Sequence, residues 1–110
     1  IRGAKMVEII NESKFTNEIS EGVVVVDFFA TWCGPCKMLS PIIDSLAEEM
    51  KGSVKFIKVD ADESVNILQD QGVAGLPTIA IFKDGQKQDM IVGFSPKEIL
   101  AEKIENCLNK

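Results

Sequence analysis

Residues 23–37 read Val-Val-Val-Val-Asp-Phe-Phe-Ala-Thr-Trp-Cys-Gly-Pro-Cys-Lys. The first seven, Val23–Phe29, form a continuous β-branched and aromatic run, the pattern of a strand buried on both faces. Only Asp27 interrupts it. Directly after this run the apolar period changes. Leu39, Ile42, Ile43, Leu46, Ala47 and Met50 recur at helical spacing, so a long amphipathic helix is expected to start near Cys33. Pro41 inside that helix predicts a kink rather than two helices. Gly52 is expected to end it, and Val54–Asp60 then alternates Val54, Phe56, Ile57 and Val59 as a second buried strand. Strand, helix and strand with no hairpin between them make a right-handed βαβ unit with a parallel pair.

The flanks extend this unit. Residues 6–10 are apolar enough for a strand, and Asn11 or Ser13 is placed to cap a helix whose Phe15 and Ile19 face the core. Residues 64–71 read as a short helix closed by Gly72. Residues 78–82 and 88–92 flank Asp84-Gly85, a type I′ hairpin signal, so that pair must be antiparallel. In Ser95-Pro96-Lys97-Glu98, Ser95 is the expected cap, with proline at the first helical position and glutamate at the third. Ile99, Leu100, Ile104, Cys107 and Leu108 are the expected buried stripe of that last helix. The order is β-α-β-α-β-α-β-β-α, an α/β sheet ending in an antiparallel hairpin. No repeat, low-complexity run or linker divides the chain, so one domain is expected over 6–109. Residues 1–5 precede Met6 and read as an extension or an expression remnant.

Composition narrows the function. The 110 residues carry 12 Lys+Arg against 17 Asp+Glu, a net charge of −5. An acidic chain whose one arginine is Arg2 is not built for nucleic acid or an anionic membrane. No apolar run reaches the length of a membrane span. Histidine is absent, which excludes His-based acid/base catalysis and His-ligated metal in this chain. The N-terminus has no basic stretch followed by an apolar segment, so no secretory signal is expected in it.

Three cysteines remain, Cys33, Cys36 and Cys107. Three ligands, one of them from the far end of the chain, are a poor supply for structural zinc, so no metal is expected. An odd, sparse cysteine set is also unlike a secreted disulfide scaffold. A Cys-x-x-Cys within a βαβ pattern points instead to a redox pair. Cys33, at a helix N-terminus, meets unpaired N–H groups and the dipole that stabilise a thiolate, which makes it the expected nucleophile. Cys36, one turn on, is placed to resolve the mixed disulfide. Pro35 restricts the backbone between them. Cys107 falls on the apolar stripe of the last helix and reads as a small buried hydrophobe. The acidic runs Glu48-Glu49 and 60–63 read as solvated faces or turns.

The segment Trp32-Cys33-Gly34-Pro35-Cys36-Lys37 resembles the thioredoxin family. So do the leading Val25-Val26-Asp27-Phe28, Pro41 in the long helix, Gly75-Leu76-Pro77-Thr78 ahead of the hairpin, Asp84-Gly85 and Val92-Gly93, all in order and spacing. The resemblance spans nearly the whole chain. Phe29 departs from it, standing where many thioredoxins carry tryptophan. The resemblance implies a central mixed five-stranded sheet flanked by four helices, and a general protein-disulfide reductase needing no bound cofactor. It implies a thioredoxin reductase and disulfide-containing proteins as partners, and a cytoplasmic monomer. It places Trp32, Gly34, Pro35, Gly75, Leu76, Pro77 and Gly93 around the substrate, and a cis peptide at Leu76–Pro77 facing the cysteines. It also places Asp27 beneath Cys36 with Lys58 near it, where burial raises the acid's pKa and lets it take the Cys36 proton. A second reading of Asp27 stays open: a structural acid paired with Lys58 from the neighbouring strand. An oxidase or isomerase, and a non-catalytic binding subunit, are the competing functions. The Gly-Pro dipeptide without histidine weighs against the first, and the intact Cys33, Cys36, Pro77 and Asp27 against the second.

Overall fold

Four consecutive valines and two phenylalanines have no polar face to offer water, and β2 (Val23–Phe29) accordingly lies at the centre of the sheet. In the computed structural model, which describes residues 7–110, β1 (Glu8–Ile9), β3 (Val54–Asp60), β4 (Thr78–Lys83) and β5 (Gln86–Val92) complete five strands in the order β1-β3-β2-β4-β5. β1 and β2 run parallel to β3, whereas β4 is antiparallel to β2 and β5 to β4. Four helices pack on this mixed sheet: α1 (Phe15–Glu18), α2 (Gly34–Glu49), α3 (Val65–Gln71) and α4 (Lys97–Leu108).

Side chains alternate across β2 and build two cores. Val23 and Val25 face Leu39, Ile43 and Leu46 of α2 and Leu100, Ile104 and Cys107 of α4. Val24, Val26 and Phe28 face Phe15 of α1 and Ile67 of α3. Each such side chain gains roughly 1.5–3 kcal/mol on leaving water. Asp27 shares the parity of Val23 and Val25. The pleat therefore aims its carboxylate toward the layer that holds α2.

Several boundaries differ from the sequence expectations. The first strand is confined to Glu8–Ile9, and Met6 lies outside the described residues. The helix after it starts as a 3₁₀ turn, Glu12–Lys14, before the single α-turn of α1. Asn11 holds the N-cap position there, but its side chain accepts from Ser13 Oγ (2.8 Å) and caps no backbone N–H. Phe15 and Ile19 are buried as expected. Pro41 lies within α2 without dividing it. Met50, not Gly52, is the C-cap of α2; Gly52 makes the following turn at φ +91°. Gly72 closes α3 in the left-handed conformation, and Asp84 and Gly85 both take positive φ, as a type I′ turn requires. In α4 the cap is Pro96, at φ −66° and ψ 157°, so Ser95 caps nothing. Ile99 is exposed rather than part of the stripe, because α4 turns Leu100, Ile104 and Cys107 inward.

Candidate active site

β2 ends one residue before Ala30, and the chain leaves the sheet at its C-terminal edge, where parallel strands of α/β folds present their loops. The Cys33 N–H donates to Ala30 O (3.2 Å), which turns the chain into α2. Cys33 is the N-cap, and its Sγ accepts the Cys36 N–H at 3.2 Å. A sulfur so placed takes one of the four orphan donors of a helix start. Pro35 occupies the first turn, where the N–H it lacks has no helical partner to lose. Cys33 and Cys36 are joined as a disulfide, with Cα atoms 5.2 Å apart, and both residues are buried. Cys107 is a buried free thiol on α4.

The two cysteines border different spaces. Cys33 lines an open cleft of about 390 Å³ with Trp32, Leu68 and residues 73–76. Cys36 lines a separate cavity of about 240 Å³ with Asp27, Phe29, Ser40 and Lys58.

Around the cleft, backbone groups fix the neighbouring loops. Leu76–Pro77 is a cis peptide. The Gly93 N–H donates to Pro77 O (2.7 Å), and Thr78 Oγ1 donates to Gly75 O (2.6 Å). Gly93 sits at φ +92°, a conformation that glycine adopts without strain. A Cβ on Gly75 would meet Val92 Cγ1 at 3.4 Å, while one on Gly34 would meet open space. Trp32 is 68% exposed, and its indole N–H donates to Asp62 Oδ2 at 2.9 Å. Val92, the last residue of β5, and Phe94 are exposed on either side of Gly93. Trp32, Gly75 and Leu76 thus meet Cys33 across the cleft, with Gly34 and Pro35 on the helix start, and Pro77 and Gly93 bonded to each other beside them.

Inside the second cavity, Asp27 is 2% exposed. Among the described residues, its Oδ1 is the buried side-chain polar atom without a hydrogen-bond partner. Burial pushes its pKa up to about 7, against the opposing attraction of Lys58 and with a smaller push from Asp44. Lys58 is the register partner of Asp27 on the neighbouring strand. No ion pair joins the two within 4 Å among the described residues. The ammonium donates instead to Ser40 Oγ (2.8 Å) and lies 5.5 Å from the centre of the Phe29 ring. The pairing of Asp27 with Lys58 that the sequence left open is not formed.

Sequence reasoning missed Ser40 and Asp62. Ser40 stands four residues after Cys36, on the same helix face, a spacing that signals adjacency but not a lysine partner. Asp62 sits in the acidic run read as solvated turns, and its bond to Trp32 is a tertiary contact that no local pattern announces.

The thioredoxin family model matches residues 6–106. This chain belongs to the thioredoxin family. It is 46% identical over 99 residues to a thioredoxin of Staphylococcus saprophyticus, covering 90% of this chain and 95% of that one. It is 42% identical over 99 residues to a thioredoxin of Staphylococcus aureus, with the same coverage. Among solved structures, the Malassezia sympodialis thioredoxin Mala s 13, described as a member of a pan-allergen family, superposes with a TM-score of 0.81 at 40% identity. That match covers 96% of this chain and 91% of the other. The expected five-stranded mixed sheet with four helices is the fold found. With the family's Cys-x-x-Cys pair in place, the chain is a thiol–disulfide oxidoreductase whose activity is dithiol/disulfide reduction. Among the described residues, no helix is long and apolar enough to cross a membrane.

Proposed function

We propose that Cys33 is the attacking thiolate, Cys36 the resolving thiol and Asp27 the acceptor of the Cys36 proton. The observation that carries this reading is the division of the two sulfurs' surroundings. Cys33 borders the open cleft, whereas Cys36 borders the cavity that holds an unpaired carboxylate. In the reduced protein, the helix N-terminus stabilises the Cys33 thiolate. That thiolate attacks one sulfur of a target disulfide, forms a mixed disulfide and expels the other sulfur as a thiolate. Cys36 then passes its proton to ionised Asp27 and attacks Cys33 Sγ. The second target sulfur leaves, and the Cys33–Cys36 disulfide closes. Two electrons have moved from the dithiol to the target, and the departing thiolates take up protons, one of them by way of Asp27. A group titrating near 7 suits both halves of that transfer. Lys58 lies near enough to bias the proton without binding the carboxylate.

The substrate lies across Trp32, Gly34, Pro35, Gly75, Leu76, Pro77 and Gly93. Half-buried backbone at Gly75 and Leu76, on the wall of the cleft, pairs with an extended segment, so selection by side chain is weak. The cysteines carry both electrons, so the step needs no bound cofactor. A thioredoxin reductase restores the dithiol, and the protein works as a cytoplasmic monomer on disulfide-containing proteins. Trapping tests the roles. Cys36→Ser should accumulate a mixed disulfide with a disulfide-bonded substrate, and Cys33→Ser should form none. Adducts seen by mass spectrometry on Cys33→Ser alone would reverse the two roles.

A further inference from the structure

The cavity beside Cys36 poses an electrostatic puzzle. A buried carboxylate oxygen without a partner and a lysine ammonium line the same 240 Å³ space, on register-paired positions of β2 and β3. Opposite charges so close, with one of them desolvated, attract strongly. Yet the ammonium is bound elsewhere, at 2.8 Å to the hydroxyl of Ser40 on α2.

We propose that Ser40 is a positioning residue for the resolving step: its hydroxyl holds the Lys58 ammonium away from the Asp27 carboxylate and keeps that carboxylate unpaired beside Cys36. The inference rests on Asp27 serving as the acceptor of the Cys36 proton. A carboxylate locked in a salt bridge is a poorer base, because its partner stabilises the ionised form. Two other ionisable groups belong to this surrounding, both on α2. Lys37 lines the cavity, and Asp44, one turn beyond Ser40, disfavours ionisation of Asp27. From β3 the charged neighbour is Lys58, and β4 contributes the apolar Ile79 as register partner. Of these groups, Lys58 is the cation held by a neutral side chain. Removing that hydroxyl leaves the unpaired Asp27 oxygen as the buried acceptor with most to gain from the ammonium.

The test follows the Asp27 side-chain carboxyl carbon by NMR across pH in the oxidised protein, alongside single-turnover resolving rates. Ser40→Ala should move the Asp27 titration about one pH unit lower, the size expected when a cation closes on a partly buried carboxylate. Ser40→Thr keeps the hydroxyl and should retain the parent titration. Lys58→Met should raise it, and adding Ser40→Ala to Lys58→Met should change nothing further. An Asp27 titration that stays put or moves up in Ser40→Ala overturns the proposal. So does a Ser40→Ala shift of equal size without Lys58. If the titration moves down but the rate–pH profile does not follow, Ser40 positions Lys58 as proposed and Asp27 is not the base.

Discussion

Trp32 donates its indole N–H to Asp62 Oδ2 across 2.9 Å, joining the residue before Cys33 to the turn that follows β3. That turn is itself tied down. The Asp62 N–H donates to Asp60 Oδ1 (2.9 Å), and the Ala61 N–H donates to Phe29 O (2.7 Å). An exposed tryptophan at a cleft mouth is thereby held in one orientation by a braced carboxylate.

Asp62→Ala should therefore loosen the ring without touching the sulfurs. A hydrogen bond to a charged acceptor contributes about 1.5–3 kcal/mol at most, and less at this exposed position. KM for a disulfide protein should rise several-fold while the single-turnover chemical rate changes little. Trp32 is the one tryptophan and the chain has no tyrosine, so its emission reports this site alone. Emission should differ between oxidised and reduced protein and should shift in Asp62→Ala. Spectra indifferent to both changes would separate Trp32 from the redox pair.

Gly93 carries a second prediction. Its N–H reaches Pro77 O at φ +92°, which costs an L side chain roughly 1–2 kcal/mol. Gly93→Ala should lower stability by about that amount and weaken substrate binding by displacing the Pro77 loop. Urea denaturation and KM, measured together, check it. A variant as stable as the parent would show that the loop relaxes without strain.

The parts of this molecule that follow from local pattern were legible in its sequence. The valine run, the helical spacing from Leu39 to Met50 and Asp84-Gly85 each encode their element through nearest neighbours, and the βαβ handedness follows from them. Boundaries set by competition between caps were less so. Ser95 is a good cap by type, yet Pro96 takes the position with extended backbone. Ile99 continues an apolar pattern, but a twelve-residue helix lying on one sheet face cannot bury every apolar position. At the site, Cys33 and Cys36 declared themselves by spacing, and Asp27 by being a charge in an apolar strand. The partner of Lys58 did not. It depends on the distance between β3 and α2, which is set by packing and not by any neighbour in the chain.

Asp27 supplies the last prediction. In the unfolded chain its carboxyl titrates near 3.8, and in the fold near 7, raised chiefly by burial. Below about pH 4 it is protonated in both states and does not disfavour folding. As pH rises toward 7 the unfolded chain releases the proton while the fold retains it, so the parent loses stability relative to a variant without the acid. Above 7 both states are ionised and the difference levels off. A separation of roughly three pH units corresponds to a penalty on the order of 4 kcal/mol. Asp27→Ala also leaves a small cavity, a cost that does not vary with pH. Its stability relative to the parent should therefore improve between pH 4 and pH 8 and hold steady beyond. Its resolving step should slow, because Cys36 loses its proton acceptor. Denaturant unfolding of both proteins across that range, beside single-turnover rates, decides the matter. A stability difference flat with pH, together with an unchanged resolving rate, would make Asp27 an ordinary structural acid.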